Sequence, residues 1–301
     1  MNILVTGGLG FIGSALFKML PQNGYQLYHS KADILDREAL KVEVSVKSWD
    51  MVFHLAAFSD PSSCVENPEQ AKKVNIEGTR NLLEVLENAQ GPGFHFVFPS
   101  TAHVYFGGDL SSEPVSEDFP LNPVSLYAET KLQAETVVGQ FCKNYGMKGT
   151  VFRLFNFTHC SQDKKFFLPH VYNSLRQFRG NEVGEVNVGD VDVIRDIGAV
   201  QDLVGAFEAV ALTERDRSCS RGHQPDVFNI CTGRGRNLRE LIFQMGETLG
   251  FREVRVNRRP GTKPTPNTVL GSGQRFQDRF GWQPNYLGDR DFLRAFLSPI
   301  G

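Results

Sequence analysis

The sequence predicts an α/β fold, a Rossmann-type doubly wound parallel sheet with a smaller C-terminal α/β substrate lobe interleaved with it. Three observations carry that reading. A β-branched run at residues 2–6 leads straight into a glycine-rich loop and then a helical segment. Apolar strand-like runs alternate with helical periodicity through the first half, the pattern of βαβ units around a parallel sheet. From residue 157 onward that alternation breaks into loops rich in Gly, Asp and Arg around single helices.

In order along the chain, strands are predicted at 2–6, 24–28, 50–55, 94–98 and 150–155. Their near-continuous apolar character suits a sheet covered on both faces. Helices are predicted at 11–20, at 69–88 and, after a turn, at 123–145. The apolar face of 69–88 is formed by Val74, Leu82, Leu83, Val85 and Leu86. Residues 226–230 read as one more buried strand and 238–249 as a helix. The expected division is a dinucleotide-binding domain over 1–155 plus roughly 192–230, with 156–191 and 231–301 forming the substrate lobe.

Composition narrows the function classes. Hydrophobic residues make up 41% of the 301, enough for a sizeable core. Lys and Arg number 32 against 34 Asp and Glu, so no basic excess exists to neutralise a nucleic-acid backbone. Apolar stretches are too short for a membrane span, and no basic leader with a cleavage site is legible, so a cytoplasmic protein is expected. Cys64, Cys142, Cys160, Cys219 and Cys231 are scattered without a C-x-x-C pair. That usage fits a reducing compartment and predicts neither a disulfide framework nor a metal site.

The first chemical signal is Thr6-Gly7-Gly8-Leu9-Gly10-Phe11-Ile12-Gly13 between strand and helix. Gly7 permits a tight turn, Gly10 lets the backbone approach a pyrophosphate, and Gly13 lets the helix pack close to the strand. The N–H groups opening the helix at Phe11 and Ile12 face the phosphates. A glycine-rich turn without a ligand is the plain alternative, but the strand–loop–helix setting favours a dinucleotide. The second strand ends Tyr28-His29-Ser30-Lys31, with no Asp or Glu to hold a ribose 2′-hydroxyl. The Ser30 hydroxyl and Lys31 ammonium suit a 2′-phosphate, so NADP is expected ahead of NAD, although a lysine there is commonly just solvated. Asp33 and Ile34 could flank the adenine.

Tyr127 and Lys131 stand four residues apart, on one face of the helix 123–145. Reduction of a carbonyl needs a proton donor beside the new alkoxide, and a phenol ordinarily titrates near 10. The expectation is that Lys131, with the positive nicotinamide ring of an oxidised cofactor, lowers the Tyr127 pKa, and that Lys131 also holds the nicotinamide ribose. Y-x-x-x-K alone is a weak pattern that an amphipathic surface helix often contains. Thr101, after the strand 94–98, supplies a hydroxyl at the carboxyl end of the sheet, where ligands bind. Ser100 is the second choice for that hydroxyl, and either could simply cap a turn.

Taken together these motifs resemble the extended short-chain dehydrogenase/reductases of the NAD-dependent nucleotide-sugar epimerase/dehydratase family. The resemblance rests on the 6–13 loop, His54-Leu55-Ala56-Ala57, the N-x-x-G-T-x-N-L-L run from Asn75, Ser100-Thr101, Val104-Tyr105 and Tyr127-x-x-x-Lys131. It continues through Arg153-x-Phe155-Asn156, Arg195-Asp196-Ile197, Asp202, Phe228-Asn229-Ile230, Arg259-Pro260-Gly261 and Phe280-Gly281-Trp282-x-Pro284, so it covers the whole chain. It implies that Thr101, Tyr127 and Lys131 are catalytic and that Leu55, Ala56, Ala57 and Asn75 line the cofactor. It implies that Asn156 and Arg195 contact a nucleoside-diphosphate sugar, with Arg259 on the diphosphate, where a guanidinium fork binds well. It also implies a homodimer through the helices 69–88 and 123–145.

One departure bears on the reaction. Relatives that dehydrate a hexose carry an acidic residue, often an Asp-Glu pair, just after the catalytic Thr, whereas Ala102 and His103 stand here. Elimination needs both a base and an acid, and alanine supplies neither. His103 could fill one of the two roles but not both, and it is expected at the substrate. The run 188–196 looks most like that of GDP-4-keto-6-deoxymannose reductases and GDP-mannose dehydratases. Residues 157–160 and Pro264-Thr265-Pro266 depart from relatives where base and sugar are read. The expected function is NAD(P)-dependent reduction of a nucleotide-activated 4-keto-6-deoxyhexose at C4. The alternatives are a 4-epimerase with tightly bound NAD, a 4,6-dehydratase and, outside enzymes, a non-catalytic NADP sensor or scaffold.

Overall fold

Strand β1 (Asn2–Thr6) delivers the glycine loop to helix α1 (Phe11–Met19), and β2 (Gln26–His29) returns beside β1 in parallel register, Asn2 opposite Gln26. A computed structural model describes residues 1–20, 24–108, 110, 113–215, 224–261 and 266–300. Cys219 and the Pro264-Thr265 pair lie outside the described residues. Helix α2 (Arg37–Val44) follows, in a stretch to which the sequence analysis assigns no element. Its signal was the Asp36 N-cap, whose side chain accepts from the Glu38 and Ala39 N–H groups.

Strand β3 (Met51–His54) is fully buried. The long helix expected at 69–88 is broken into pieces. Helices α3 (Pro61–Glu66) and α4 (Pro68–Lys72) each open on proline, a π-helical turn spans Lys73–Gly78, and α5 (Thr79–Gln90) completes the run. The break places Asn75, at 2% exposure, inside the molecule. Strand β4 (His95–Thr101) runs further than expected, so Thr101 is its last residue. Helix α6 (Leu126–Tyr145) starts where the Ser125 side chain caps the Ala128 N–H, and ends at the left-handed Gly146. Strand β5 (Lys148–Leu154) completes the first half.

The chain then builds a second layer: β6 (Asn156–Thr158), α7 (Phe167–Arg176), β7 (Val183–Val188) and β8 (Ile194–Ala199). Helix α8 (Val200–Arg215) and β9 (Asp226–Ile230) go back to the first layer. The remainder comprises β10 (Gly235–Asn237), α9 (Leu238–Thr248), β11 (Glu253–Arg258), β12 (Thr268–Val269), α10 (Gln274–Phe280) and α11 (Asp289–Leu297). The main sheet has six parallel strands in the order β2-β1-β3-β4-β5-β9. Strand β8 pairs with β6, β10 and β12, while β7 pairs with β11. The return to the main sheet is thus made by α8 and β9, later than residue 192, because β8 belongs to the second sheet.

Both faces of the main sheet are covered. On one side Phe53, Phe152, Phe207, Phe228 and Phe276 pack with α1 and α8. On the other, Phe96 and Phe98 pack with Leu82, Leu86 and Val138 from α5 and α6. The strand order reverses between β1 and β3, so a crevice opens at their carboxyl ends, the position at which such sheets bind ligands.

Candidate active site

The glycine loop occupies that crevice. Gly7 has φ +66°, and a Cβ there would lie 2.6 Å from the Ala56 nitrogen. A Cβ on Gly13 would lie 2.5 Å from the Gly7 carbonyl oxygen, so α1 sits directly against the turn. The Gly10 N–H donates to the Gly7 carbonyl at 2.9 Å, and the N-cap Gly10 offers no side chain to the first helical N–H groups. Phe11 and Ile12 open the helix half-buried. This bare helix start behind a glycine turn fits a dinucleotide pyrophosphate. Leu55, Ala56 and Ala57 line the facing loop, and Thr6 anchors it by accepting from the Ala56 N–H at 3.2 Å. The Asn75 amide spans that loop and α6: it accepts from the Phe58 N–H at 2.8 Å and donates to Thr130 at 2.9 Å. Asn75 therefore shapes the loop through Phe58.

At the end of β2 the structure corrects one premise. The expectation of NADP rested on the lack of an acid there, yet α2 brings Glu43 to that spot. Its carboxylate accepts from the Ser30 hydroxyl at 2.5 Å and from the Lys31 N–H at 2.7 Å. Asp33 accepts from the Leu35 N–H at 2.9 Å, and Ile34 is buried against Gly78.

The residues expected to move the proton meet at the end of β4 and the start of α6. The Thr101 hydroxyl and the Tyr127 phenol are hydrogen-bonded, and Thr101 also accepts from the His103 N–H at 3.2 Å. Burial pushes the Tyr127 phenol up to about 12, only partly offset by the Thr101 bond. After burial, the groups that act on this phenol are Thr101 and Cys64, so the lowering expected from Lys131 is not seen in this site. The Lys131 ammonium lies 4.1 Å from the Phe98 ring centroid, and burial lowers its own pKa to about 7, against the opposing charge of Glu135. Ser100 is turned to other work, since its hydroxyl donates to Glu135 inside the protein. Glu135 also pairs with Arg153 at 2.8 Å, and Arg153 donates to the Tyr105 hydroxyl at 2.9 Å. Ser100 is thus part of a buried ionic network and not the second choice for the reacting hydroxyl.

His103 stacks on Phe106 with ring centroids 4.3 Å apart and stands 6.0 Å from the Tyr127 ring. Burial, and then the nearby Arg195 charge, push its pKa down to about 4, so the imidazole is neutral at pH 7. The exposed Asn156 donates to the Asp196 carbonyl at 3.1 Å, and Arg195 donates to the Ile194 carbonyl at 2.8 Å. Arg259 lies elsewhere in the lobe, with its Nη2 2.8 Å from His170 Nε2 and its Nε donating to the Asn187 carbonyl at 3.0 Å. The structure thus brings Thr101, His103, Tyr127 and Arg195 together and places Arg259 with His170. Sequence reasoning missed Glu43, Glu135 and Phe98. The first two act through the packing of helices on strand ends, which no local pattern announces.

A family model described as GDP-mannose 4,6 dehydratase matches residues 27–290. The chain is 29% identical, over 99% of its length and 96% of the relative, to a GDP-6-deoxy-D-mannose reductase of Pseudomonas aeruginosa. It is 27% identical to a UDP-glucose 4-epimerase of Lactobacillus helveticus, over 97% and 95% of the two chains. Among solved structures, RMD of Pseudomonas aeruginosa complexed with NADPH superposes with a TM-score of 0.86 at 26% identity, covering 99% of this chain and 98% of that one. The UDP-glucose 4-epimerase of Thermotoga maritima with UDP-glucose gives 0.82 at 27% identity, over 98% and 97%.

Proposed function

This chain belongs to the GDP-mannose 4,6-dehydratase family, and we propose that within it the chain is an NAD(P)-dependent reductase of a nucleotide-activated 4-keto-6-deoxyhexose. One observation carries the reading: Tyr127 is hydrogen-bonded to Thr101 in a site whose next two residues are Ala102 and a neutral His103. A bound reduced dinucleotide would supply the hydride. Tyr127 supplies the proton to the C4 oxygen, and Thr101 holds that oxygen by hydrogen bond. Burial keeps the Tyr127 phenol protonated at neutral pH, the state from which it donates. Lys131 serves as the cation for the cofactor's ribose. Asn156, Arg195 and His103 contact the sugar nucleotide, and Arg259 meets its diphosphate.

The dehydratase reading asks for an acid and a base together. Ala102 is inert and one neutral imidazole cannot fill both roles at once. The 4-epimerase reading remains in the same class, and the similarity to the Lactobacillus helveticus enzyme favours keeping it. The protein would work in the cytoplasm as a homodimer; no helix among the described residues is long and apolar enough to cross a membrane. The test is direct. Purified protein given reduced dinucleotide and GDP-4-keto-6-deoxymannose should oxidise the cofactor stoichiometrically. An epimerase would retain NAD through purification and consume none, and no cofactor loss with any 4-keto nucleotide sugar would remove the reductase reading.

A further inference from the structure

We infer that Glu43 sets the cofactor preference: its carboxylate, carried by α2 to the carboxyl end of β2, takes the Ser30 hydroxyl and the Lys31 and Ala32 backbone N–H groups and sets a negative charge where a 2′-phosphate would lie, so the protein prefers NADH to NADPH. The inference rests on the dinucleotide reading above and deepens it.

The geometry is specific. Beyond His29 the backbone turns through 30–34, the stretch against which a Rossmann fold lays the adenosine ribose. Three donors of that turn converge on one carboxylate. The Ser30 hydroxyl lies 2.5 Å from Glu43 Oε2, the Lys31 N–H nitrogen 2.7 Å from Oε1, and the Ala32 N–H nitrogen 3.3 Å from Oε2. Two consecutive backbone N–H groups and a hydroxyl would hold a phosphate well. Here they are satisfied from within the protein, by a group that itself carries a full negative charge.

A 2′-phosphate arriving at this turn would have to displace the carboxylate or stand beside it. Displacement strands a half-buried Glu43, and standing beside it costs like-charge repulsion. Two neighbouring cations are committed elsewhere. Arg37 pairs with Glu84 and donates to Asn81, and Lys47 lies 3.5 Å from the Tyr28 ring centroid. A ribose 2′-hydroxyl meets no such conflict, because it can donate to the carboxylate as it does to the strand-end acid of NAD-binding relatives of this fold. The acid is the same in chemistry but comes from the following helix, so the strand end itself reads as Ser-Lys.

Titration calorimetry of the whole protein with NADH and with NADPH, without substrate, tests this. NADH should bind tighter by about tenfold or more, the scale of one unscreened charge repulsion near a protein surface. Glu43→Gln keeps the side-chain shape and removes the charge, and should erase most of that preference. Wild-type protein that binds NADPH as tightly as NADH overturns the inference, whether or not the variant folds. So does a Glu43→Gln protein that keeps the wild-type ratio. Failure of the reductase reading has a different signature: dinucleotide binds with the stated preference but no keto sugar is turned over.

Discussion

Thr101 and Tyr127 are hydrogen-bonded across the gap between the last residue of β4 and the first turn of α6. Two elements far apart in sequence thus point one hydroxyl pair into the crevice. Tyr127→Phe removes the proton donor and leaves the ring, so kcat should fall by about 10²–10⁴-fold, the range for general acid catalysis. Dinucleotide affinity should stay close to wild type by calorimetry. Turnover retained at the wild-type level in that variant would remove Tyr127 as the proton donor.

Lys131 titrates near 7 because burial opposes its charge. Its ammonium is present below that pH and lost above it. Since kcat/KM reports ionisations of the free enzyme, kcat/KM for the dinucleotide should decline as pH rises through about 7. Glu135 raises the Lys131 pKa, so Glu135→Gln should move the decline to lower pH. A profile flat through neutrality would show that the charge of Lys131 is not used.

Gly7 and Gly10 should fail in different ways. Gly7→Ala forces a Cβ into left-handed backbone at φ +66°, a cost of about 1–2 kcal/mol. It also drives that atom to within 2.6 Å of the Ala56 nitrogen. Its melting temperature should drop. Gly10→Ala meets only the Gly7 carbonyl at 3.1 Å, so it should fold with a small loss and chiefly weaken dinucleotide binding. Equal melting temperatures for the two variants would contradict this division.

Arg153 and Glu135 form an ion pair with side chains only 7% exposed. Arg153→Met leaves a buried carboxylate without its cation and should cost about 3–5 kcal/mol in urea unfolding. The double change Arg153→Met with Glu135→Leu should recover much of that loss. If the double variant is no more stable than the single one, the pair is not the dominant partner of Glu135.

His54 and His95 are buried, and burial lowers both to about 3 from an ordinary 6.5. Between those values the unfolded chain takes up protons that the native state refuses, so stability should fall as pH drops through that window. His95→Asn should make the fall shallower, read as melting temperature against pH. An unchanged slope would assign the acid sensitivity to other groups.

Much of the candidate site was legible because its signals are local. The glycine spacing, the Tyr127–Lys131 interval and the hydroxyl at Thr101 are each set within one strand–loop–helix passage. What escaped depends on packing. Helix α2 is short and polar, and only its Asp36 cap announced it. That is why Glu43 could not be placed at the end of β2. The apolar periodicity of 69–88 concealed a π-helical turn, which turns on how Asn75 meets Phe58 and Thr130. Burial of Tyr127 reverses the expected direction of its pKa, and burial is a property of the folded surroundings.

Strand β9 joins β5 only after the chain has traversed the second layer, setting Thr150 opposite Asp226. A fragment ending near residue 155 would leave β5 as a bare edge and expose the phenylalanines that Phe207, Phe228 and Phe276 cover. The nucleotide-binding half is therefore not a portable module. Grafting it onto another substrate lobe, or expressing it alone, should yield aggregate; exchange of specificity has to proceed by changing loops within one continuous chain.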